Sequence, residues 1–218
     1  IVLIHGVGMC QEYWAPQVHD LMESYEVITY DMWGHGRSMV DPDATTLSDF
    51  AHQLDDLLTS LGLAAVHLAG HSLGGAIAWA TAAAHPDRVE KLILVDAAGY
   101  PVQSTSVPIG FRLARNRFLA PLMNNILPRG MVESSVRNVF GHPERVTPEL
   151  VDRYFAMAVR EGNRRALIQR MSLPRWGADT SVLKSLRQPT LIVWGGRDRL
   201  IPPAAGERFD ADIPDSRQ

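Results

Sequence analysis

Val66-His67-Leu68-Ala69-Gly70-His71-Ser72-Leu73-Gly74-Gly75 runs from a short apolar stretch into a glycine-rich turn, and Ala76 to Ala84 continues it as an alanine-rich helix ended by Pro86. A nucleophile carried on a sharp strand-to-helix turn needs small residues two before and two after it, because the strained backbone presses those positions against neighbouring elements. Gly70 and Gly74 meet that need. Ser72 then projects into a cleft, with a helix N-terminus behind it that favours developing negative charge. As a bare pattern, Gly-x-Ser-x-Gly also fits an ordinary turn with a helix-capping serine. The strand before it and the helix after it favour the nucleophile.

Working outward, the apolar runs Ile1 to Ile4, Val27 to Tyr30, Val66 to Ala69, Leu92 to Val95 and Thr190 to Trp194 read as strands. They are continuous rather than alternating, as parallel strands covered on both faces are. Between them Leu47, Phe50, Ala51, Leu54, Leu57, Leu58 and Leu61 repeat at helical spacing, with Thr46 and Asp49 in capping-box register and Gly62 as the stop. Strand and helix in alternation imply right-handed crossovers and an open, doubly wound α/β sheet. From Tyr100 to about Leu186 the alternation gives way to helical segments, such as Thr147 and Pro148 opening a run through Leu150, Val151, Tyr154, Phe155 and Ala158. The division expected is core over 1–99, a helical insertion over 100–186, and core again over 187–218. The facing of the insertion's Phe111, Leu113, Phe118, Leu119, Leu122 and Met123 is open, with helix core the default.

Two further motifs fall beside the serine in this arrangement. His5-Gly6-Val7-Gly8 follows the first strand, and acyl transfer needs two backbone N–H donors aimed at the oxyanion. Val7 and Leu73 are the natural pair. His5 reads as a histidine that fixes its own loop rather than as a base. Trp194-Gly195-Gly196-Arg197-Asp198 brings a carboxylate to a strand's C-terminal end, where a triad holds the acid that orients its histidine. Asp198 is the first choice and Asp96, after Val95, the rival.

Composition narrows the classes. Lys and Arg number 21 against 24 Asp and Glu, a net charge of -3 with no long single-sign run, so neither a nucleic-acid partner nor an anionic membrane is expected. No apolar run approaches the ~20 residues of a membrane-spanning helix. The lone Cys10 has no internal disulfide partner and no His/Cys cluster has metal-ligand spacing, so a reducing, cytoplasmic setting without a metal is expected.

Together His5-Gly6-Val7-Gly8, Asp31-Met32-Trp33-Gly34-His35-Gly36-Arg37-Ser38, Gly70-His71-Ser72-Leu73-Gly74-Gly75 and Gly195-Gly196-Arg197-Asp198 with Ile201-Pro202 resemble the α/β-hydrolase superfamily over almost the whole chain. Within it the tract from His5 to Ser38 is similar to carboxylesterases, enol-lactonases and carbon–carbon bond hydrolases, which work without cofactor. The resemblance implies a serine hydrolase of carboxylic esters or thioesters working through an acyl-enzyme, with residues 100–186 as a cap over the site. It also implies that Asp31 and the Gly34 to Ser38 turn shape the neighbourhood of the oxyanion loop. Carbon–carbon hydrolysis and a binding module with vestigial hydrolysis are the other readings; a nucleophilic aspartate is excluded by Ser72. One departure matters: the family's catalytic histidine follows the acid, and none of histidines 5, 19, 35, 52, 67, 71, 85 and 142 does. The sequence therefore reads as shortened at both ends, without the family's final strand and helix and with its histidine expected beyond Gln218. His142 is the one substitute to check.

Overall fold

The first strand, β1 (Val2–Ile4), sends Val2 and Ile4 to one side and Leu3 to the other, and each side meets a different set of helices. In the computed structural model, which describes all residues except 42, 45, 117, 124 and 173–178, β1 is joined by β2 (Ile28–Tyr30), β3 (Val66–His71), β4 (Val89–Val95), β5 (Thr190–Val193) and β6 (Ser216–Arg217). The order is β2-β1-β3-β4-β5-β6 and every pairing is parallel. The sheet is thus a parallel, helix-flanked α/β sheet, as the strand and helix alternation predicts.

One face packs Val2, Ile4, Leu68, Leu92, Leu94 and Ile192 against α2 (Leu47–Ser60) and α3 (Leu73–Ala84). The other packs Leu3 and Ala69 against α1 (Ala15–Leu21) through Val18 and Leu21, which makes the sheet doubly wound. Helix α2 begins with the expected capping box, the Asp49 N–H donating to Thr46 Oγ1 at 3.3 Å and the Thr46 N–H to Asp49 Oδ2 at 2.7 Å. It ends where Gly62 takes φ +70°. Leu61, read as part of its apolar stripe, is instead half exposed at the C-cap.

Between β4 and β5 lie α4 (Ile109–Ala114), α5 (Ala120–Met123), α6 (Arg129–Val139), α7 (Pro148–Val159) and α8 (Asn163–Ser172); positions 117, 124 and 173–178 of this expected insertion lie outside the described residues. Thr147 caps α7, accepting from the Leu150 N–H at 3.2 Å, and Pro148 occupies its first turn. Helix α8 is fixed to the core. Arg170, nearly fully buried, donates to Trp33 O at 2.6 Å and stacks its guanidinium 4.1 Å from the Phe50 ring centroid. Nearby Asn163 donates to Gly36 O at 3.2 Å. At the start of the insertion the Thr105 and Ser106 N–H groups both donate to Arg199 O, at 2.9 and 3.2 Å, and the Ser104 hydroxyl donates to Leu200 O. After β5, α9 (Ala204–Asp212) buries Phe209 under Tyr100 and Trp194, an element that sequence periodicity did not single out.

Candidate active site

Because all strands are parallel, the turns after β1, β2, β3, β4 and β5 emerge at one end of the sheet. Ser72 sits between β3 and α3 with φ 54° and ψ -115°, a left-handed conformation that non-glycine residues seldom adopt. Its own N–H is taken by Val95 O at 3.0 Å, and its carbonyl accepts from the Ala98 N–H at 2.9 Å. The flanking glycines explain themselves. A Cβ on Gly70 would meet the Gly74 carbonyl, and one on Gly74 would meet the carbonyls of Ile4 and His5. Helix α3 starts at Leu73 rather than at Ala76, so the Leu73 N–H is among those an α-helix leaves without an internal acceptor.

The turn after β1 lies against this serine: a Cβ on Gly6 would come within 3.2 Å of Ser72 Cβ and 2.9 Å of His71 Nδ1. His5 holds that turn. It is fully buried, its Nδ1 lies 2.9 Å from Gly6 O, and its Nε2 accepts from the Met32 N–H at 3.2 Å. These two bonds fit only the neutral Nδ1–H form, and burial pushes its pKa down to about 4. His71 stacks on Tyr13 with centroids 4.9 Å apart, and its buried Nδ1 has no hydrogen-bond partner among the described residues. Burial, with His5 nearby, pushes His71 down to about 4 as well.

Two carboxylates stand on adjacent turns. Asp198 Oδ1 accepts from the Leu200 and Ile201 N–H groups at 2.7 and 3.0 Å, leaving Oδ2 outside those bonds. Asp96, at φ 44°, accepts from the Gly195 N–H at 2.7 Å through Oδ1. Burial pushes the Asp96 carboxyl up to about 6, the Gly195 N–H opposes that, and the Asp198 charge adds to it. His142, the substitute base, is engaged elsewhere: Nδ1 pairs with Glu144 at 2.8 Å and Nε2 lies 3.3 Å from Arg197 Nη1.

A cavity of about 460 Å³ joins these groups. Val7, Ser72, Asp96 and Asp198 line its floor, and the helices between β4 and β5 supply most of its wall. On α6 the lining residues Val132, Ser135, Val136 and Val139 recur at helical spacing, a stripe legible in the sequence although the side it faces was not. Sequence reasoning missed Tyr13, His35 and Arg197 in this lining; each reaches it by tertiary placement, and His35 carried no signal beyond its glycine-flanked turn. Fully buried, His35 is held well below the ordinary imidazole pKa. Among the described residues, no cluster of three His, Cys, Asp or Glu side chains is arranged to hold a metal ion, and no helix is long and apolar enough to cross a membrane.

A strained serine at the C-terminal edge of a parallel sheet, beneath inserted helices, defines a class, and the comparison with known families agrees. The family model described as alpha/beta hydrolase fold matches residues 1–218, and the chain belongs to that family. A RutD protein of Yersinia enterocolitica, named as a carbamate hydrolase, is 30% identical over 99% of this chain and 76% of its own. A Pseudomonas putida protein named 2-hydroxy-6-oxononadienedioate/2-hydroxy-6-oxononatrienedioate hydrolase 2 is 33% identical over 99% of this chain and 77% of its own. Among solved structures, a thermophilic esterase from Thermogutta terrifontis superposes with a TM-score of 0.81 at 27% identity, covering 99% of this chain and 78% of that one.

Proposed function

We propose that this hydrolase cleaves a small carboxylic ester or thioester through an acyl-enzyme on Ser72. The observation that carries the reading is the Ser72 backbone, bent to φ 54° so that its side chain meets a largely apolar cavity that Val7 also lines. In the reaction, Ser72 Oγ attacks the carbonyl while its proton passes to the histidine that a triad of this kind pairs with Asp198. Asp198, with Oδ1 fixed by two backbone donors, offers Oδ2 to hold that histidine in one tautomer. The N–H groups of Val7 and Leu73 hold the oxyanion. The imidazolium then gives its proton to the departing alcohol or thiol, and water repeats the sequence to release the acid. Residues 100–186 act as a cap that excludes water and shapes the acyl pocket. The single buried thiol, Cys10, goes with a cytoplasmic setting.

The test uses the full gene product with p-nitrophenyl esters of graded chain length, following acyl-enzyme formation by intact-mass spectrometry. Ser72→Ala should abolish the adduct and lower kcat on the order of 10³ to 10⁶-fold with the fold intact. A Ser72→Ala protein that still acylates would sink the assignment. Carbon–carbon hydrolysis is the second reading, supported by the 33% identity to the P. putida hydrolase. A vinylogous diketone turned over faster than any ester would select it. A carbamate substrate, after the Yersinia relative's name, belongs in the same panel.

A further inference from the structure

We propose that Arg112 and Arg115, with the exposed Phe118, Leu119, Leu122 and Ile126, form a docking surface for an anionic lipid bilayer. Around α5 the Ala120 N–H donates to Asn116 O at 2.8 Å and the Ile126 N–H to Leu122 O at 3.0 Å, both with helical four-residue spacing. Positions four apart therefore share a side. Ala120 and Met123 point inward and are buried, Met123 against the cavity. The larger Phe118, Leu122 and Ile126 point outward and are 80%, 56% and 54% exposed, with Leu119 at 42%. This corrects the expectation that such residues form helix core. Folding alone would bury the larger side chains, so their placement implies that something else covers them.

Charge identifies the cover. The whole-chain value of -3 conceals that residues 97 to 132 contain Arg112, Arg115, Arg117 and Arg129 and no acidic residue, so this stretch is +4 and the rest of the chain -7. Arg129 is spent on Asp152 and Glu133. Arg112 and Arg115 are exposed, and the described ion pairs of Arg and Lys engage Arg37, Arg88, Arg129, Arg137 and Lys184 instead. A second copy meeting this face about a twofold axis would set arginine against arginine. Phospholipid headgroups of negative charge match the arginines, and the acyl boundary takes Phe118, Leu122 and Ile126. The net charge by itself favours no anionic membrane, and the proposal goes beyond it because opposite charges sit in different parts of the chain.

The experiment is co-sedimentation of the full gene product with phosphatidylcholine vesicles with and without phosphatidylglycerol. Binding should require the anionic lipid and weaken as salt rises. Arg112→Gln with Arg115→Gln should weaken it about thirtyfold, and Phe118→Ser, Leu122→Ser and Ile126→Ser together should abolish it. None of these side chains lines the site cavity or belongs to a buried core cluster, and a cooperative thermal unfolding transition close to the wild-type one should report that the variants fold. Absence of wild-type binding to the anionic vesicles, or equal binding by the variants, overturns the proposal. So does a concentration-dependent dimer in analytical ultracentrifugation that the three serine substitutions dissolve, since a second copy would then be the cover.

Discussion

At Asp96 a buried carboxyl is raised to about 6 while the same group in an unfolded chain titrates near 3.8. The native state therefore holds this proton more tightly, and its contribution is favourable below pH 4, declines between 4 and 6, and is a full penalty above 6. Asp96→Asn, which keeps the Gly195 N–H acceptor and tolerates φ 44°, should leave stability unchanged at pH 4 and raise it by about 2 to 3 kcal/mol at pH 8. Urea unfolding at the two pH values checks this. The companion Asp198→Asn should cost turnover instead. If Asp96→Asn stops the reaction and Asp198→Asn spares it, the two acids exchange roles. Ser72 and its glycines were legible in sequence because steric exclusion acts between residues two apart. The stack of His71 on Tyr13 was not, since 58 positions of chain separate partners that only the finished sheet brings together.

At the scale of elements, Arg170 and Asn163 fasten α8 to the turn after β2, Arg170 being the more buried of the two. Arg170→Ala would open a hole over Phe50 and leave the Trp33 carbonyl with His35 Nδ1, 3.1 Å away, as its remaining partner, a loss of about 2 to 4 kcal/mol in global stability. Because α8 carries the cavity residues Asn163 and Leu167, KM should rise more than kcat falls, and amide hydrogen exchange in 163–172 should quicken before that of β3. Unchanged exchange there would show that other contacts hold the helix. Strands and helices such as β3, α2 and α7 could be read from local periodicity and caps. β6, two residues long, offers no pattern to read. The inserted helices were recognisable, yet the facing of Phe118 or Leu122 depended on which side the core lay, and periodicity gives a stripe without giving its direction.

For the molecule as a whole, His5 and His71 are buried without charge near the centre of the fold, each with a pKa of about 4 against the usual 6.5. The unfolded chain takes up protons between those values and the native chain does not, so stability is complete above pH 6.5 and falls as pH drops toward 4. At pH 5 each histidine should cost about 2 kcal/mol, a large share of an ordinary domain's margin. A melting temperature that holds level from pH 7 to pH 5 would contradict this. The joint between Ser104–Ser106 and Arg199–Leu200 has a different kind of consequence. Its two amide bonds end on the Arg199 carbonyl and are indifferent to which side chains stand at either place, and only the bond to Leu200 O needs the Ser104 hydroxyl. A foreign helical insert that keeps a hydroxyl at the place of Ser104 would find the same seat beside the loop bearing Asp198. Such a seam suits recombination: a lineage can trade one set of inserted helices for another in a single crossover, leaving the turns that carry Ser72 and Asp198 untouched.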